Sequence, residues 1–125
     1  MGEKTISCQK DEASSFVRID NQNGKLFGLI QGVKVRTGSV YRVSAECRIP
    51  EENTSLNGGR VLVYIPGSRE YQLTFITESH NWIKKELIFT NRVTGIASFV
   101  THTGYGNYKG KTDFKNVKLE EVQVE

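Results

Sequence analysis

The chain of 125 residues has few cysteines, histidines and prolines, two of each, and little net charge. Neither Cys8 nor Cys47 belongs to a CxxC pair, and two histidines give no support for a zinc site. The net charge of +3 comes from basic residues that are spread along the whole chain. Nucleic-acid-binding proteins usually cluster such residues on one face or helix, so we expect no nucleic-acid partner.

Long apolar runs are also absent from the sequence. No stretch approaches the roughly 20 residues that a membrane-spanning helix requires, and no signal peptide opens the chain. We therefore expect no membrane partner. The length and the ordinary apolar fraction of 37% predict a single folded domain over residues 1–125.

Motifs of the common enzyme classes are missing as well. The sequence contains no GxSxG, no HExxH and no glycine-rich phosphate loop. A glycosidase needs two carboxylates that face each other across a cleft. Turns and outward strand faces account more simply for the candidate glutamates, which are Glu46, Glu51, Glu52, Glu70 and Glu86. We therefore expect that the protein is not an enzyme.

The hydrophobic periodicity indicates strands. Along residues 41–49 the odd positions are apolar or small and the even positions are polar, which marks a strand with one buried face. In a helix, Arg42 and Glu46 would interrupt the apolar stripe. The best helical candidate, residues 50–53, forms one turn at most.

Similar runs of β-branched and aromatic residues recur along the chain, and turn sequences separate them. The runs cover residues 16–19, 25–31, 33–36, 60–65, 71–77, 83–90, 96–101 and 114–124. The turn sequences are Asn23-Gly24, Thr37-Gly38, Asn57-Gly58-Gly59, Pro66-Gly67 and residues 104–110. Short strands with a turn every 8–12 residues or so predict an all-β antiparallel sandwich or barrel.

Cys8 and Cys47 admit two interpretations. If they are paired, the disulfide closes a long loop and stabilises the fold by about 3–4 kcal/mol. If they are not, they are two separate buried thiols, as free cysteines often are. We favour separate thiols, although the sequence alone leaves both interpretations open.

The segment 102–110 has a composition that suits sugar recognition. Tyr105 and Tyr108 stand among glycines, next to His102, Asn107 and Lys109. The C–H faces of pyranose rings stack on aromatic side chains, and sugar hydroxyls pair with polar groups. The alternative is a surface loop whose tyrosines lie flat on the end of the sandwich.

The phase of the predicted strands adds further candidates. Tyr64 is out of phase with Val61 and Val63, so it should point away from that apolar row, whereas the phase of Tyr71 places it in the core. Trp82, at the entry to a strand, is predicted to pack in the core rather than to serve as a sugar platform.

Two predicted strands each bring three candidate side chains onto one face: Arg42, Glu46 and Arg48 in one strand, and Ser98, Val100 and His102 in the other. If the two strands belong to the same sheet, these side chains form a polar floor with an aromatic edge. Otherwise they are separate solvated faces.

From about residue 23 onward, the order of features resembles the carbohydrate-binding modules of families 4, 9 and 22. Residues 34–45 (KVRTGSVYRVSA) resemble their segment in which a glycine turn leads into a strand that begins with tyrosine. Residues 77–82 (TESHNW) and 87–90 (LIFT) are similar to their tryptophan segment, and residues 114–119 (FKNVKL) to their last strand.

The resemblance implies a jelly-roll sandwich of two antiparallel sheets, with sugar bound along a concave sheet face or at loop ends. In the resembled modules, residues of the penultimate strand commonly reach the sugar, which corresponds here to Ser98, Val100 and His102. It also implies that Trp82 is a packing residue.

The resembled modules often hold a structural calcium ion, partly through one of two adjacent aspartates in the last strand. Here that pair reads Lys115-Asn116, and an ammonium group would repel a cation that binds carboxylate and carbonyl oxygens. Asp113, two residues earlier on the same strand face, is the available substitute. We expect no cofactor and disfavour a calcium site.

These features together predict a non-catalytic carbohydrate-binding module. Its expected sugar-binding residues are Arg42, Glu46, Tyr64, Ser98, His102, Tyr105 and Tyr108. Its expected partners are a polysaccharide or oligosaccharide and the other domains of a secreted or cell-surface parent protein. The main alternative is a structural or protein-interaction jelly roll of a multidomain surface or phage tail protein, and a small hydrolase is a third interpretation.

Overall fold

The computed structural model describes residues 4–10, 15–22, 27–50, 57–76, 80–103 and 110–123. Within these ranges all regular structure is β-strand. The described residues contain no helix that is long and apolar enough to cross a membrane. The strands are β1 (Lys4–Lys10), β2 (Ser15–Asn21), β3 (Phe27–Val35), β4 (Val40–Arg48), β5 (Asn57–Tyr64), β6 (Glu70–Ile76), β7 (Ile83–Thr90), β8 (Gly95–Thr103) and β9 (Gly110–Val122).

The strands form two antiparallel sheets. The five-stranded sheet, sheet A, has the order β1-β2-β9-β4-β7, and the four-stranded sheet, sheet B, has the order β3-β8-β5-β6. Most neighbours in these sheets are distant in sequence, as expected for a jelly roll rather than a simple meander. The predicted two-sheet β-sandwich is therefore confirmed.

The core lies between the two sheets and is built from alternate residues of each strand. Along β4 the odd positions are buried, among them Val43, Ala45 and Cys47. This confirms the period of two over residues 41–49. Across the core, Phe75 of β6 and Phe114 of β9 meet edge to face, with 6.3 Å between their ring centroids.

The turns at one end of the sandwich are tied together by Asn91, which is fully buried. Its side-chain amide donates to the carbonyl oxygens of Arg36 (2.8 Å) and Val93 (2.7 Å). Its own carbonyl accepts from the amide of Gly38 at 2.7 Å. The turn after β3 and the turn after β7 thus hold each other in place.

The observed strands differ from the prediction at two places. β1 was not predicted, because its alternation rests on only two apolar residues, Ile6 and Cys8. β3 is one continuous strand where two were predicted, because Gly32 keeps its place in the ladder opposite Ser98 instead of starting a turn. The predicted helical turn at 50–53 falls largely outside the described residues.

The two cysteines are separate thiols, as favoured from the sequence. Cys47 is buried between the sheets, and this burial raises the pKa of its thiol. Cys8 is exposed on the edge strand β1, so the expectation of two buried thiols was right for one of them. The fold therefore relies on its core, without a covalent link between these residues.

Candidate functional site

The outer face of the four-stranded sheet carries a row of apolar side chains that runs across its strands. The pairing places Ile30 of β3 opposite Val100 of β8, and Val100 opposite Leu62 of β5. Gln72 of β6 ends the row. Ile30 is 73% exposed, so this apolar row faces solvent.

A polar row lies on each side of this apolar row. On one side, Tyr64 pairs with both Ser98 and Glu70. On the other side, Arg60 pairs with both His102 and Thr74. We call the three rows together the sheet-B surface.

Tyr64 is the exposed aromatic side chain of the sheet-B surface. It is 48% exposed and points away from the core residues Val61 and Val63. The direction predicted from strand phase is confirmed. Its ring is available for stacking, with the hydroxyl of Ser98 and the carboxylate of Glu70 in the neighbouring positions of the row.

His102 and Arg60 lie side by side at the other edge of the sheet-B surface. Burial lowers the pKa of His102, and the nearby Arg60 charge acts in the same direction. His102 is only 7% exposed, so it lies beneath this edge of the surface, and Arg60 is the residue beside it that reaches further out. The Arg60 guanidinium donates to the side-chain oxygen of Gln72 at 3.2 Å, which connects this polar row with the end of the apolar row.

The structure brings three of the predicted residues together on the sheet-B surface: Tyr64, Ser98 and His102. Tyr105 and Tyr108 lie outside the described residues. Three further residues of this surface, Arg60, Leu62 and Gln72, could have been identified from the sequence. Like Tyr64, they occupy the positions between the apolar residues of their strands and therefore face outward.

Arg42 and Glu46 lie elsewhere, because β4 belongs to the five-stranded sheet. The single polar floor considered from the sequence therefore does not form. On the outer face of the five-stranded sheet, Arg42 contacts Glu120 at 3.6 Å, and Glu46 accepts a hydrogen bond from Asn116. The groove there, of about 370 Å³, is lined by three basic and three acidic side chains: Arg42, Lys84, Lys118, Glu46, Glu86 and Glu120.

Asp113, the available substitute for a calcium ligand, is engaged by two arginines. Arg18 donates to its two carboxylate oxygens at 2.7 and 3.0 Å, and Arg48 donates to one of them at 3.1 and 2.9 Å. Calcium requires about six to eight oxygen ligands. In the described part of the chain, no group of three or more His, Cys, Asp or Glu side chains could hold a metal ion. Two guanidinium groups thus surround the carboxylate that the ion would need, and these residues do not fit a calcium site.

Trp82 packs against the outer face of the five-stranded sheet rather than in the core between the sheets. Its ring meets Phe16 edge to face at 5.6 Å. The charged ends of Arg48 and Lys115 lie 4.5 and 4.2 Å from its ring. Trp82 is a packing residue, as implied by the resemblance, but its predicted place in the core is corrected.

Comparison with known proteins identifies the fold. No family model matches the chain, and no curated protein matches its sequence. Among solved structures, a family 16 carbohydrate-binding module is 16% identical, with a TM-score of 0.71 over 94% of this chain and 86% of that one. The CBM22-1 xylan-binding domain from Paenibacillus barcinonensis Xyn10C is 7% identical, with a TM-score of 0.63 over 99% of this chain and 83% of that one.

A bacteriophage protein shares the fold as well. The enzymatically active domain of tailspike protein 4 of bacteriophage CBA120 is 9% identical, with a TM-score of 0.75. The match covers 98% of the present chain but only 18% of the tailspike chain. The resemblance to carbohydrate-binding modules is thus confirmed as a shared jelly-roll fold, and the match to the tailspike is confined to a part of that protein.

Proposed function

We propose that this chain is a non-catalytic module that binds a polysaccharide on the sheet-B surface. The observation that carries this proposal is the exposed apolar row, with Tyr64 beside it and polar rows along both edges. Sugar rings present apolar C–H faces and polar hydroxyl edges, so a strip of this composition complements them.

The geometry of the rows suits an extended chain. Neighbouring strands are about 4.8 Å apart, so a row across four strands is about 14 Å long. A polysaccharide lying across the strands would rest its ring faces on Ile30, Val100 and Leu62. Its hydroxyls would then meet Ser98 and Glu70 on one side and Arg60 on the other.

Binding without hydrolysis is the activity that this surface supports. Retaining and inverting glycosidases commonly use a pair of carboxylates on either side of the bond that is cleaved. Among the described residues of the sheet-B surface, Glu70 is the single carboxylate. The chain would therefore act by holding a secreted or cell-surface parent protein on its polysaccharide.

Arg42 and Glu46 are not part of this proposed site, because they lie on the opposite side of the sandwich. Their contacts with Glu120 and Asn116 account for their positions without a sugar. A variant at Arg42 is therefore a suitable control for changes on the sheet-B surface.

The test is retention of the protein on a panel of neutral and acidic polysaccharides, with and without EDTA. Tyr64→Ala should weaken binding to the retained polysaccharide by about tenfold, since an aromatic stacking contact contributes about 1 kcal/mol or more beyond its buried area. Arg42→Gln should leave binding unchanged. EDTA should have no effect, because Asp113 is held by arginines.

The proposal would be contradicted if the protein is folded, as shown by circular dichroism, but is retained on none of the polysaccharides. The exposed apolar row would then be a contact surface for another protein, as in a structural jelly roll. Equal losses of binding in Tyr64→Ala and Arg42→Gln would also contradict the proposed site.

A further inference from the structure

A groove of about 540 Å³ runs along the seam where the edge strands of the two sheets, β6 and β7, meet. Its wall contains Tyr71, whose ring stacks on Phe89 with 4.0 Å between centroids and 13° between planes. Leu87 extends this apolar wall. Two arginines, Arg69 and Arg92, also line the groove.

Each of the two arginines follows a residue or turn that hydrogen bonds hold in place. Arg69 follows the Pro66-Gly67 turn, in which Gly67 has a φ of 82° and the amide of Ser68 donates to the carbonyl of Ile65 at 2.9 Å. A proline followed by a residue with positive φ is typical of a type II turn. This turn therefore sets the backbone position of Arg69.

Arg92 directly follows Asn91, the buried residue that ties two turns together. The Pro66-Gly67 turn lies beside this second turn, since a Cβ added at Gly67 would be 3.9 Å from a side-chain carbon of Val93. The two arginine-bearing turns are thus neighbours. Little conformational freedom of the backbone would be lost when a ligand binds between them.

Neither arginine has an ion pair with the described residues. Arg36, at the same end of the sandwich, differs because Glu121 binds it through both carboxylate oxygens at 2.7 and 2.8 Å. The groove on the five-stranded sheet differs too, since its three basic and three acidic side chains balance. The seam groove has two basic side chains and one acidic side chain, Glu70.

Glu70 connects the seam groove to the sheet-B surface. It lines the groove and is also the partner of Tyr64 in the register. A sugar that stacks on Tyr64 therefore lies one strand away from the groove. To enter the groove, a substituent on that sugar would have to extend past the edge of β6.

We propose that the seam groove binds the anionic group of an acidic sugar residue, a carboxylate or a sulfate ester, through Arg69 and Arg92. This assignment rests on the proposed function, and it makes the ligand an acidic polysaccharide. Arginine forms paired, charge-assisted hydrogen bonds with such groups. The Tyr71 side of the groove then contacts the apolar part of the sugar.

The test is an NMR titration of the isotope-labelled protein with sodium glucuronate, glucose 6-sulfate and glucose, observed at the arginine side chains. We expect glucuronate, glucose 6-sulfate or both to shift the Nε–H signals of Arg69 and Arg92 in a saturable way, and glucose not to shift them. The signal of Arg42 should not move. The stronger of the two anions identifies the carboxylate or the sulfate as the preferred group.

Variants make the assignment specific. Arg69→Gln and Arg92→Gln should each weaken binding of the anionic sugar by about tenfold, the value of one lost charge-assisted hydrogen bond. Arg42→Gln also removes one positive charge, but on the other side of the sandwich, and should have no effect.

The failure of this proposal differs from the failure of the proposed function. Retention of a neutral polysaccharide through Tyr64, with no specific shift of Arg69 or Arg92, would overturn the groove assignment alone. Equal shifts of all arginines, Arg42 included, would show non-specific attraction and would also overturn it. Saturation of the groove by an anionic sugar would support it, even if no polysaccharide is retained.

Discussion

At the scale of single residues, the buried carboxylate of Asp113 brings together several kinds of interaction. The Asp113 side chain is fully buried and lies between the guanidinium groups of Arg18 and Arg48. The Arg48 guanidinium also lies 4.9 Å from the ring of Phe16 and 4.5 Å from that of Trp82. Charge, hydrogen bonds and aromatic contacts thus meet at one point on the outer face of the five-stranded sheet.

Asp113→Ala should lower the free energy of unfolding by about 3–5 kcal/mol, because it leaves two largely buried cations without their carboxylate. Glu86→Ala removes an exposed carboxylate from the same sheet and should change it by about 0.5 kcal/mol or less. Chemical denaturation measures both values. Equal stabilities of the two variants would show that the Asp113 contacts contribute little.

The sequence predicts some of these residue positions and misses others, for a physical reason. The direction of Tyr64 follows from alternation along its own strand, which is local information. One of the two arginine partners of Asp113 is Arg18, 95 residues away. Such a contact depends on which strands become neighbours, so the sequence identified Asp113 as a candidate metal ligand without revealing its cationic partners.

At the scale of elements, alternation identifies strands well where apolar residues are frequent. β7 was predicted with its observed limits, residues 83–90. β1 was missed because its few apolar positions give a weak pattern, and β3 was divided because glycine is also a turn residue. Alternation of apolar and polar side chains shows which residues share a face of a strand. A glycine has no side chain, so the pattern does not show whether it lies in a strand or in a turn.

The two glycines of β3 provide a matched test of its pairing with β8. A Cβ at Gly28 would lie 2.0 Å from the carbonyl oxygen of Thr101, whereas one at Gly32 would lie 3.3 Å from a methyl group of Ile96. Gly28→Ala should therefore destabilise the protein by about 1–3 kcal/mol, since the backbone must move. Gly32→Ala should be nearly neutral, because the Ile96 side chain is exposed and can shift.

Thermal and chemical unfolding of these two variants checks this expectation. If Gly28→Ala were as stable as Gly32→Ala, the close approach of β3 to β8 at Gly28 would be wrong. The register that aligns Ile30 with Val100 would then have to be reconsidered, and with it the apolar row of the proposed site.

At the scale of the whole molecule, the assignment of strands to sheets divides the predicted site. Period-two patterning showed that Arg42 and Glu46 share a face, and that Ser98 and His102 share another. It could not show that β4 and β8 belong to different sheets, because that depends on long-range pairing. The resemblance to carbohydrate-binding modules correctly indicated the jelly roll, and the penultimate strand, β8, lies in the middle of the proposed site.

The two outer faces of the sandwich differ in chemistry. The outer face of the five-stranded sheet presents mostly charged side chains of both signs, with Ile88 as an exposed apolar side chain among them. The four-stranded sheet exposes apolar side chains, among them Ile30 and Ile96. Exposed apolar surface bordered by polar groups is typical of a binding site, which is why we propose the site on the second face.

The most direct test of this account is an NMR titration of the labelled protein with an oligosaccharide of the retained polysaccharide, followed at every backbone amide. We expect saturable shifts in β5, β6 and β8, centred on Leu62, Tyr64 and Val100, and none at Arg42 or Glu46. Shifts centred on the outer face of the five-stranded sheet, or no saturable shift with any glycan of the panel, would contradict it.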